Sequence, residues 1–301
     1  MENTILFAED FGSKVVERLK NRGLTTVFCQ CNDVYKTNDT LHHAITFREK
    51  GKNCCPNIYI DGYQKRIESG ECSLEDALEE VERTYLYSRD SEVVRITEET
   101  GLPEEAHYTI RMLNINKNEH YLSDTPYRML NDEFALFVCG ELDSNEDNAV
   151  ISFKVTNGMI KQKGLNEDAL FEEAFKNFQK EHFEIKTIVD TLGNLGLPVE
   201  EMDLCPFNIP SFYVVSNEKL VNGANALARK DILDTFAEEH GDFYIIPSSI
   251  HELLFLPVSI FGNDVSTLSD MVNQVNRTEV SESDYLSDTV YLYSKDGLKT
   301  V

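Results

Sequence analysis

Residues 242–258, DFYIIPSSIHELLFLPV, limit what this chain can fold into more than any other stretch. Two short apolar runs flank the polar segment 247–252, and neither run alternates with period two, which is typical of strands covered on both faces. Pro247, Ser248 and Ser249 favour a turn between them. The stretch therefore predicts a buried hairpin, which needs a sheet with other elements packed on it.

A helix is predicted immediately before this hairpin. Ile232, Leu233 and Phe236 place apolar side chains at helical spacing with acidic residues between them. Gly241 follows at the position where a helix favours a left-handed residue. The helix is therefore expected to end at His240 and to lead into the hairpin.

The N-terminal part of the chain, residues 1–102, predicts an α+β domain that begins and ends with a helix. Its first helix covers residues 9–19, and its last begins at Ser73, where Asp76 completes a capping box. Between them lie three short β-prone segments separated by turn residues, which predicts a small meander. These segments are residues 25–31, 43–48 and 57–61.

The remaining residues, 103–301, predict a larger α+β domain built from repeated ββα units. A weakly patterned stretch with Gly, Pro and several glutamates places the boundary near Pro103, and residues 107–116 are expected to form a short helix. Three units share one mainly antiparallel sheet with helices on one side, closed by a strand at 290–293. The units are 133–142 and 148–156 with a helix capped at Asn166, 211–216 and 223–228 with the helix ending at His240, and the hairpin with a helix at 265–275.

The chain of 301 residues is strongly acidic, because 53 Asp and Glu against 28 Lys and Arg give a net charge of −25. An anionic field repels phosphate backbones and anionic membrane surfaces, which argues against direct binding of nucleic acid or membrane unless basic residues cluster in space. A charged partner is therefore expected to be basic. The alternative is that the acids only keep the outer helix faces soluble.

The first twenty residues carry neither a basic segment nor a long apolar core, and no window approaches the roughly 18 apolar residues of a membrane helix. Seven cysteines are an odd number without a regular spacing, and the adjacent Cys54 and Cys55 seldom form an unstrained disulfide. These features predict reduced thiols and a cytoplasmic protein.

Ser248, Ser249, His251 and Glu252 supply the residue types of a serine hydrolase within one turn. A triad needs a serine hydroxyl that donates to a histidine, an acid that orients this histidine, and oxyanion donors. Residues this close in sequence rarely converge in that way, and no Gly-x-Ser-x-Gly elbow is present. The favoured interpretation is a hydrogen-bonded turn, and a hydrolase-like enzyme is the alternative.

Cys29, Cys31, His43 and Cys54 are the candidate metal ligands of the N-terminal part. Cys29 and Cys31 would share one face of a strand, with His43 opposite, but structural zinc usually takes ligands from Cys-x-x-Cys. The favoured interpretation is that these cysteines are small core residues and that the chain binds no metal or cofactor. A metal-stabilised structural module remains the alternative.

Arg48, Glu49 and Lys50 alternate in charge at the end of a predicted strand. Such a run is usually a solvated turn, but Arg48 and Lys50 would also suit a basic binding spot on an acidic protein.

Eight segments together resemble an uncharacterised domain-of-unknown-function family of anaerobic Gram-positive bacteria, often linked to mobile elements. They are ITFREKG at 45–51, PNIYID at 56–61, SLEDALEEV, TPYRML, EFALFV, LNEDALFEEAFKN, FYIIPSSIHE and LSDTVYLY. The resemblance runs almost from end to end and implies a two-part protein with no assigned activity. It supplies no catalytic residues, and the Cys54 and Cys55 pair departs from its pattern.

The leading hypothesis is therefore a non-catalytic module whose acidic surface binds a basic protein partner. The link to mobile elements would make that partner a nucleic-acid-binding or host-defence protein.

The buried hairpin generates a prediction about stability. Ile245→Ala and Leu254→Ala are each expected to lower the free energy of unfolding by about 2–5 kcal/mol, because transfer energy is lost and a cavity forms. Ser249→Ala in the turn is expected to cost about 1 kcal/mol or less. Chemical denaturation of the three variants measures this order, and an inverted order would mean that the turn is buried and networked.

Overall fold

The computed structural model describes residues 2–50, 55, 57–89, 106–143, 150–194 and 212–301. The predicted α+β class is confirmed, because helices alternate with antiparallel sheets. The described helices are α1 (Glu2–Asn21), α2 (Asp61–Glu68), α3 (Leu74–Arg89), α4 (Glu119–Leu122), α5 (Asn157–Lys163), α6 (Glu167–Phe178), α7 (Ile188–Asn194), α8 (Lys230–His240), α9 (Val258–Phe261) and α10 (Val265–Thr278).

Thirteen strands form three sheets in the described part of the chain. They are β1 (Val27–Tyr35), β2 (Leu41–Glu49), β3 (Asn57–Tyr59), β4 (His107–Asn114), β5 (Tyr127–Met129), β6 (Phe134–Asp143), β7 (Val150–Lys154), β8 (Phe183–Thr187), β9 (Tyr213–Asn217), β10 (Phe243–Ser249), β11 (Glu252–Pro257), β12 (Tyr291–Ser294) and β13 (Gly297–Thr300).

The chain divides into two compact units. The first contains Met1–His107, Glu141–Phe153 and Gly158–Gly164, and the second contains Tyr108–Gly140, Lys154–Asn157 and Leu165–Val301. The boundary predicted near Pro103, and the weakly patterned stretch around it, lie outside the described residues.

The first unit contains the predicted meander as a three-stranded antiparallel sheet in the order β1-β2-β3. The inner face of this sheet carries Val27, Ile45 and Phe47, which pack in one core with residues of α1 and α3. Helix α3 begins as predicted, because the Ser73 hydroxyl accepts from the Asp76 amide at 3.1 Å and the Ser73 amide donates to the Asp76 carboxylate at 3.2 Å. Local patterns were therefore sufficient to predict the meander and the start of α3, but not α2 or the two later segments of this unit.

A buried ion pair joins α1 to α3. The Glu82 side chain is only 2% exposed, its Oε2 accepts from Arg18 Nε at 2.8 Å, and its other oxygen pairs with Arg22. The hydrogen bond to Glu82 raises the pKa of Arg18 above its usual value. A buried carboxylate is tolerated here because two guanidinium groups compensate its charge.

The second unit contains a six-stranded sheet in the order β13-β12-β10-β11-β9-β8. The predicted hairpin is confirmed as β10 and β11, and it occupies the centre of this sheet. Ile245 is fully buried, whereas Leu254 is half-buried, so the larger loss on truncation is expected at Ile245.

Helices cover both faces of this sheet, and this corrects the prediction of helices on one side. On one face, Leu268 and Val272 of α10 pack with Tyr244. On the other face, the Phe236 ring of α8 lies 4.7 Å from the Phe243 ring. Cover on both faces explains why neither hairpin strand alternates between apolar and polar residues.

Two predicted elements have a different structure. Residues 107–116, predicted to be a helix, instead form β4 up to Asn114 and the start of a 3₁₀ helix at Ile115–Lys117, and the Met112 amide of β4 donates to the Asn225 side chain at 2.9 Å. Residues 223–228, predicted to be a strand, form a 3₁₀ helix whose buried Asn225 makes that bond. Contacts with distant segments determine the structure of both elements. The second of the three predicted ββα units therefore lacks its second strand.

The four-stranded sheet of β4, β5, β6 and β7 contains the first predicted strand pair. The structure therefore distributes the predicted repeats over two sheets instead of one. None of the helices in the described ranges combines the length and apolar character needed to cross a bilayer.

Candidate functional site

The 247–252 turn, which joins β10 to β11, is held by three other segments of the second unit. The Ser216 hydroxyl of β9 donates to the His251 carbonyl at 2.7 Å. The Ala224 amide donates to the Ile250 carbonyl at 3.3 Å, and the Ile250 amide donates to the Asp284 carbonyl at 2.8 Å. The turn is therefore a junction between β9, the 3₁₀ helix and the segment before β12.

The side chains of this turn are engaged in bonds that differ from those of a catalytic triad. The Ser248 hydroxyl donates to Glu252 Oε1 at 3.1 Å, and the Ser249 hydroxyl accepts from the His251 amide at 3.0 Å. Within the described residues, neither hydroxyl has a hydrogen bond with the imidazole. A serine nucleophile needs that bond for its activation, so the geometry favours a structural turn.

The His251 imidazole has two neighbours from distant parts of the sequence. Its Nδ1 accepts from the Asn222 amide at 3.3 Å, which places the proton of the neutral ring on Nε2. Nε2 lies 3.5 Å from Asp284 Oδ1. His251 therefore orients the turn against two loops.

Cys29, Cys31 and His43 lie on the inner face of the first unit's sheet, as the strand alternation predicts. His43 Nδ1 lies 2.9 Å from Asp33 Oδ1, and burial raises the pKa of both thiols, which disfavours the thiolate that a metal or a nucleophilic reaction requires. No group of three or more His, Cys, Asp or Glu side chains in the described ranges is arranged to hold a metal ion. Cys54 lies outside the described residues.

A pocket of about 170 Å³ lies beside these residues. Its lining consists of Ala8 from α1, Cys31, Asn32 and Asp33 from β1, and His43 and Ala44 from β2. The carboxylate in its lining belongs to Asp33, whose side chain is 53% exposed. The pocket offers an apolar wall and one anionic group.

The three residues of the predicted charged spot have separate roles. Glu49 accepts two hydrogen bonds from the Arg89 guanidinium, at 2.8 and 3.1 Å, and so ties β2 to α3. Arg48 is exposed on the outer face opposite Phe28, and Lys50 is exposed in the following turn. Of the three, only Arg48 and Lys50 offer a free surface.

Comparison with known proteins places the chain in a family. A sequence model described as a family of unknown function, DUF5688, matches residues 8–295. The chain belongs to DUF5688. No curated protein and no solved structure matches it. The expected resemblance to an uncharacterised family is therefore confirmed. Because the family has no known function, the roles of residues in this DUF5688 chain are inferred from its own geometry.

Sequence reasoning identified the 247–252 turn of the DUF5688 chain but missed its partners. The partners of His251 lie far from it along the chain: Ser216 is 35 positions away, Asn222 is 29 and Asp284 is 33. The pair Asn222 and Gly223 was the only local signal, because such a pair favours a turn. Asn222 does have a left-handed backbone, with φ of 57°.

Gly223 allows the closest approach in this junction and generates a prediction. A Cβ atom at Gly223 would lie 2.3 Å from the His251 carbonyl oxygen and 2.6 Å from the Ser216 Cα. Gly223→Ala is therefore expected to lower the free energy of unfolding by about 3 kcal/mol or more in chemical denaturation, because backbone atoms must move.

Gly62→Ala is the matched control, because nothing lies within 4 Å of a Cβ at this position in α2. It is expected to be neutral or stabilising by about 0.5–1 kcal/mol. Equal effects of the two substitutions would contradict the close approach at the junction.

Proposed function

We propose that this DUF5688 chain is a non-catalytic protein-binding module of the cytoplasm and that its partner is basic. The net charge of −25 supports a basic partner, because unlike charges accelerate encounter and select partners. The bonding of the 247–252 turn supports a role other than hydrolysis, since its hydroxyls and imidazole hold segments together.

The observation that carries the proposal is the charge at the end of α8. A helix C-terminus has a partial negative charge, which favours Lys and Arg there and disfavours carboxylates. Each of the other described helices of eight or more residues has Lys or Arg in its last turn, namely α1, α2, α3, α6 and α10. Helix α8 instead ends in Glu238, Glu239 and His240.

Glu238, Glu239 and the following Asp242 are exposed. The His240 imidazole lies 3.8 Å from the Glu239 carboxylate, and within the described residues these three acids form no ion pair with Lys or Arg. Earlier in the same helix, by contrast, Asp231 pairs with Arg229 and Asp234 pairs with Lys230. In the described part of the chain, Glu238 and Glu239 therefore meet the negative end of the helix dipole without a Lys or Arg partner, and with Asp242 they offer an anionic surface to a cationic partner.

The association with mobile elements that the sequence resemblance implies would narrow the class of partner. Proteins that bind nucleic acid are basic, so a nucleic-acid-binding or host-defence protein has the required charge. In this case the acidic module would engage the cationic surface that its partner uses for nucleic acid.

Affinity capture from a cell lysate tests the proposal with two variants of equal charge. One variant carries Glu238→Gln, Glu239→Gln and Asp242→Asn. The control carries Glu172→Gln, Glu173→Gln and Asp270→Asn, which are exposed acids elsewhere in the second unit. A basic protein is expected to bind the wild type and the control at low salt, to bind the first variant about tenfold more weakly, and to be released at high salt.

Retention that is indifferent to salt, or equal loss in both variants, would contradict a specific electrostatic surface at the end of α8. A captured protein that is acidic would contradict the partner class.

A further inference from the structure

Strand β1 lies at one edge of the first unit's sheet, because the strand order is β1-β2-β3. The direction of its backbone groups follows from β2. The His43 carbonyl accepts from the Ile60 amide at 2.9 Å and the His43 amide donates to the Asp61 carboxylate at 3.1 Å, so His43 points its backbone toward β3. Alternation then points the backbone of Ala44, which is paired with Asn32, toward β1.

It follows that Phe28, Gln30 and Asn32 direct their backbone groups to β2, while the residues between them point away from the sheet. The outward-pointing residues at the centre of the strand are Cys29, Cys31 and Asp33, between Val27 and Tyr35, which point outward at its ends. By this alternation their amides and carbonyls point away from β2, and among the described residues none of them takes part in a turn, loop or cap bond. Three donors and three acceptors are therefore aligned along an open edge.

Natural proteins protect such edges with lysine, proline, bulges, short strands or covering groups. Strand β1 is nine residues long, pairs with β2 without a register shift, and has Asp33 as its single charged residue. Three other edges of the described sheets are protected: β8 carries Lys186, β13 is short and carries Lys299, and Asn225 covers β4. Strand β1 has none of these three protections.

We propose that the β1 edge binds an extended segment of a partner protein as an added strand, and that this segment places a Lys or Arg side chain beside Asp33. A residue opposite Cys31 in the added strand would direct its side chain to the inner face, where the pocket of about 170 Å³ lies. Ala8 and Cys31 would contact the aliphatic stem.

Asp33 supplies the charge complementarity. Its Oδ1 lies 2.9 Å from His43 Nδ1, and the side chain is 53% exposed, which leaves Oδ2 open to an ammonium or guanidinium group. The expectation that the partner is basic comes from the proposed function, and in this one point the inference rests on that function. The surface is different, because β1 belongs to the first unit and the end of α8 to the second.

A second copy of the chain fits the same edge less well. Antiparallel pairing of two β1 strands about Cys31 would place Asp33 opposite Cys29 of the other copy. Strand β1 contains no Lys or Arg, so both Asp33 carboxylates would lack a cation. Charge therefore favours a different chain with a basic residue.

Two synthetic peptides test the inference on the full chain. Both alternate threonine and valine over the length of β1, and they carry lysine or glutamate at the centre. Amide hydrogen exchange followed by NMR is expected to show fast exchange at Cys29, Cys31 and Asp33 in the free protein. The lysine peptide is expected to slow these amides by about tenfold or more, and the glutamate peptide to bind about fivefold more weakly.

Two variants of β1 distinguish the contribution of its backbone hydrogen bonds from that of the Asp33 charge. Cys31→Pro removes an outward amide that β2 does not use, and proline is tolerated on an edge strand, so the fold is expected to persist while peptide binding is lost. Asp33→Asn keeps the ladder, and it is expected to reduce the preference for the lysine peptide to within about twofold.

Gln30→Ala is the control and is expected to bind the lysine peptide as the wild type does, and the α8 variant with three neutralised acids distinguishes the two proposed surfaces. Loss of binding in the α8 variant alone would support the proposed function and overturn the edge site. Slow exchange at Cys29, Cys31 and Asp33 in the free protein would also overturn it, as would a wild-type dimer that Cys31→Pro dissociates, because a second copy would then occupy the edge.

Discussion

The second unit depends on the hydrogen bonds that the Glu133 carboxylate accepts. This carboxylate accepts hydrogen bonds from Asn114 Nδ2 at 2.9 Å, from the Ser287 hydroxyl at 2.6 Å and from the Tyr291 hydroxyl. Asn114 belongs to β4 and Tyr291 to β12, so one side chain links the four-stranded sheet to the six-stranded sheet. Burial and the bond to Glu133 raise the pKa of Tyr291 far above its usual value, which keeps this phenol a donor. Loss of the acceptor would leave several donors without a partner in a setting where each costs about 1–3 kcal/mol.

The same principle describes the other polar clusters of the molecule. Glu82 joins α1 to α3, Glu49 joins β2 to α3, and His251 orients the 247–252 turn between two loops. Each cluster contains groups that catalytic sites also use, but in each the groups satisfy one another. The acids at the end of α8 and the outward-pointing backbone of β1 differ from these clusters, and the two proposed binding surfaces lie there.

Sequence information was sufficient where structure is decided locally. The capping box at Ser73, the meander and the β10-β11 hairpin all follow from short patterns of apolar and turn residues. Residues 107–116 and 223–228 were predicted wrongly because Asn225 joins the two segments through bonds to Ile110 and Met112 that no local pattern contains. The candidate site shows the same limit. Adjacent Ser, His and Glu were visible in the sequence, but their partners lie in distant segments, and the open β1 edge depends on backbone direction.

The most direct test of this account is the free energy of unfolding of Glu133→Leu, measured by chemical denaturation beside Glu172→Leu on the exposed face of α6. Glu133→Leu removes the acceptor while keeping a similar volume, and it is expected to destabilise the protein by about 3 kcal/mol or more, because the Ser287 and Tyr291 hydroxyls and one of the two Asn114 bonds lose this acceptor, while Asn114 keeps its bond to the Leu286 carbonyl. Glu172→Leu is expected to stay within about 0.5 kcal/mol of the wild type. Equal stability of the two variants would contradict the claim that buried polar bonds join the two sheets.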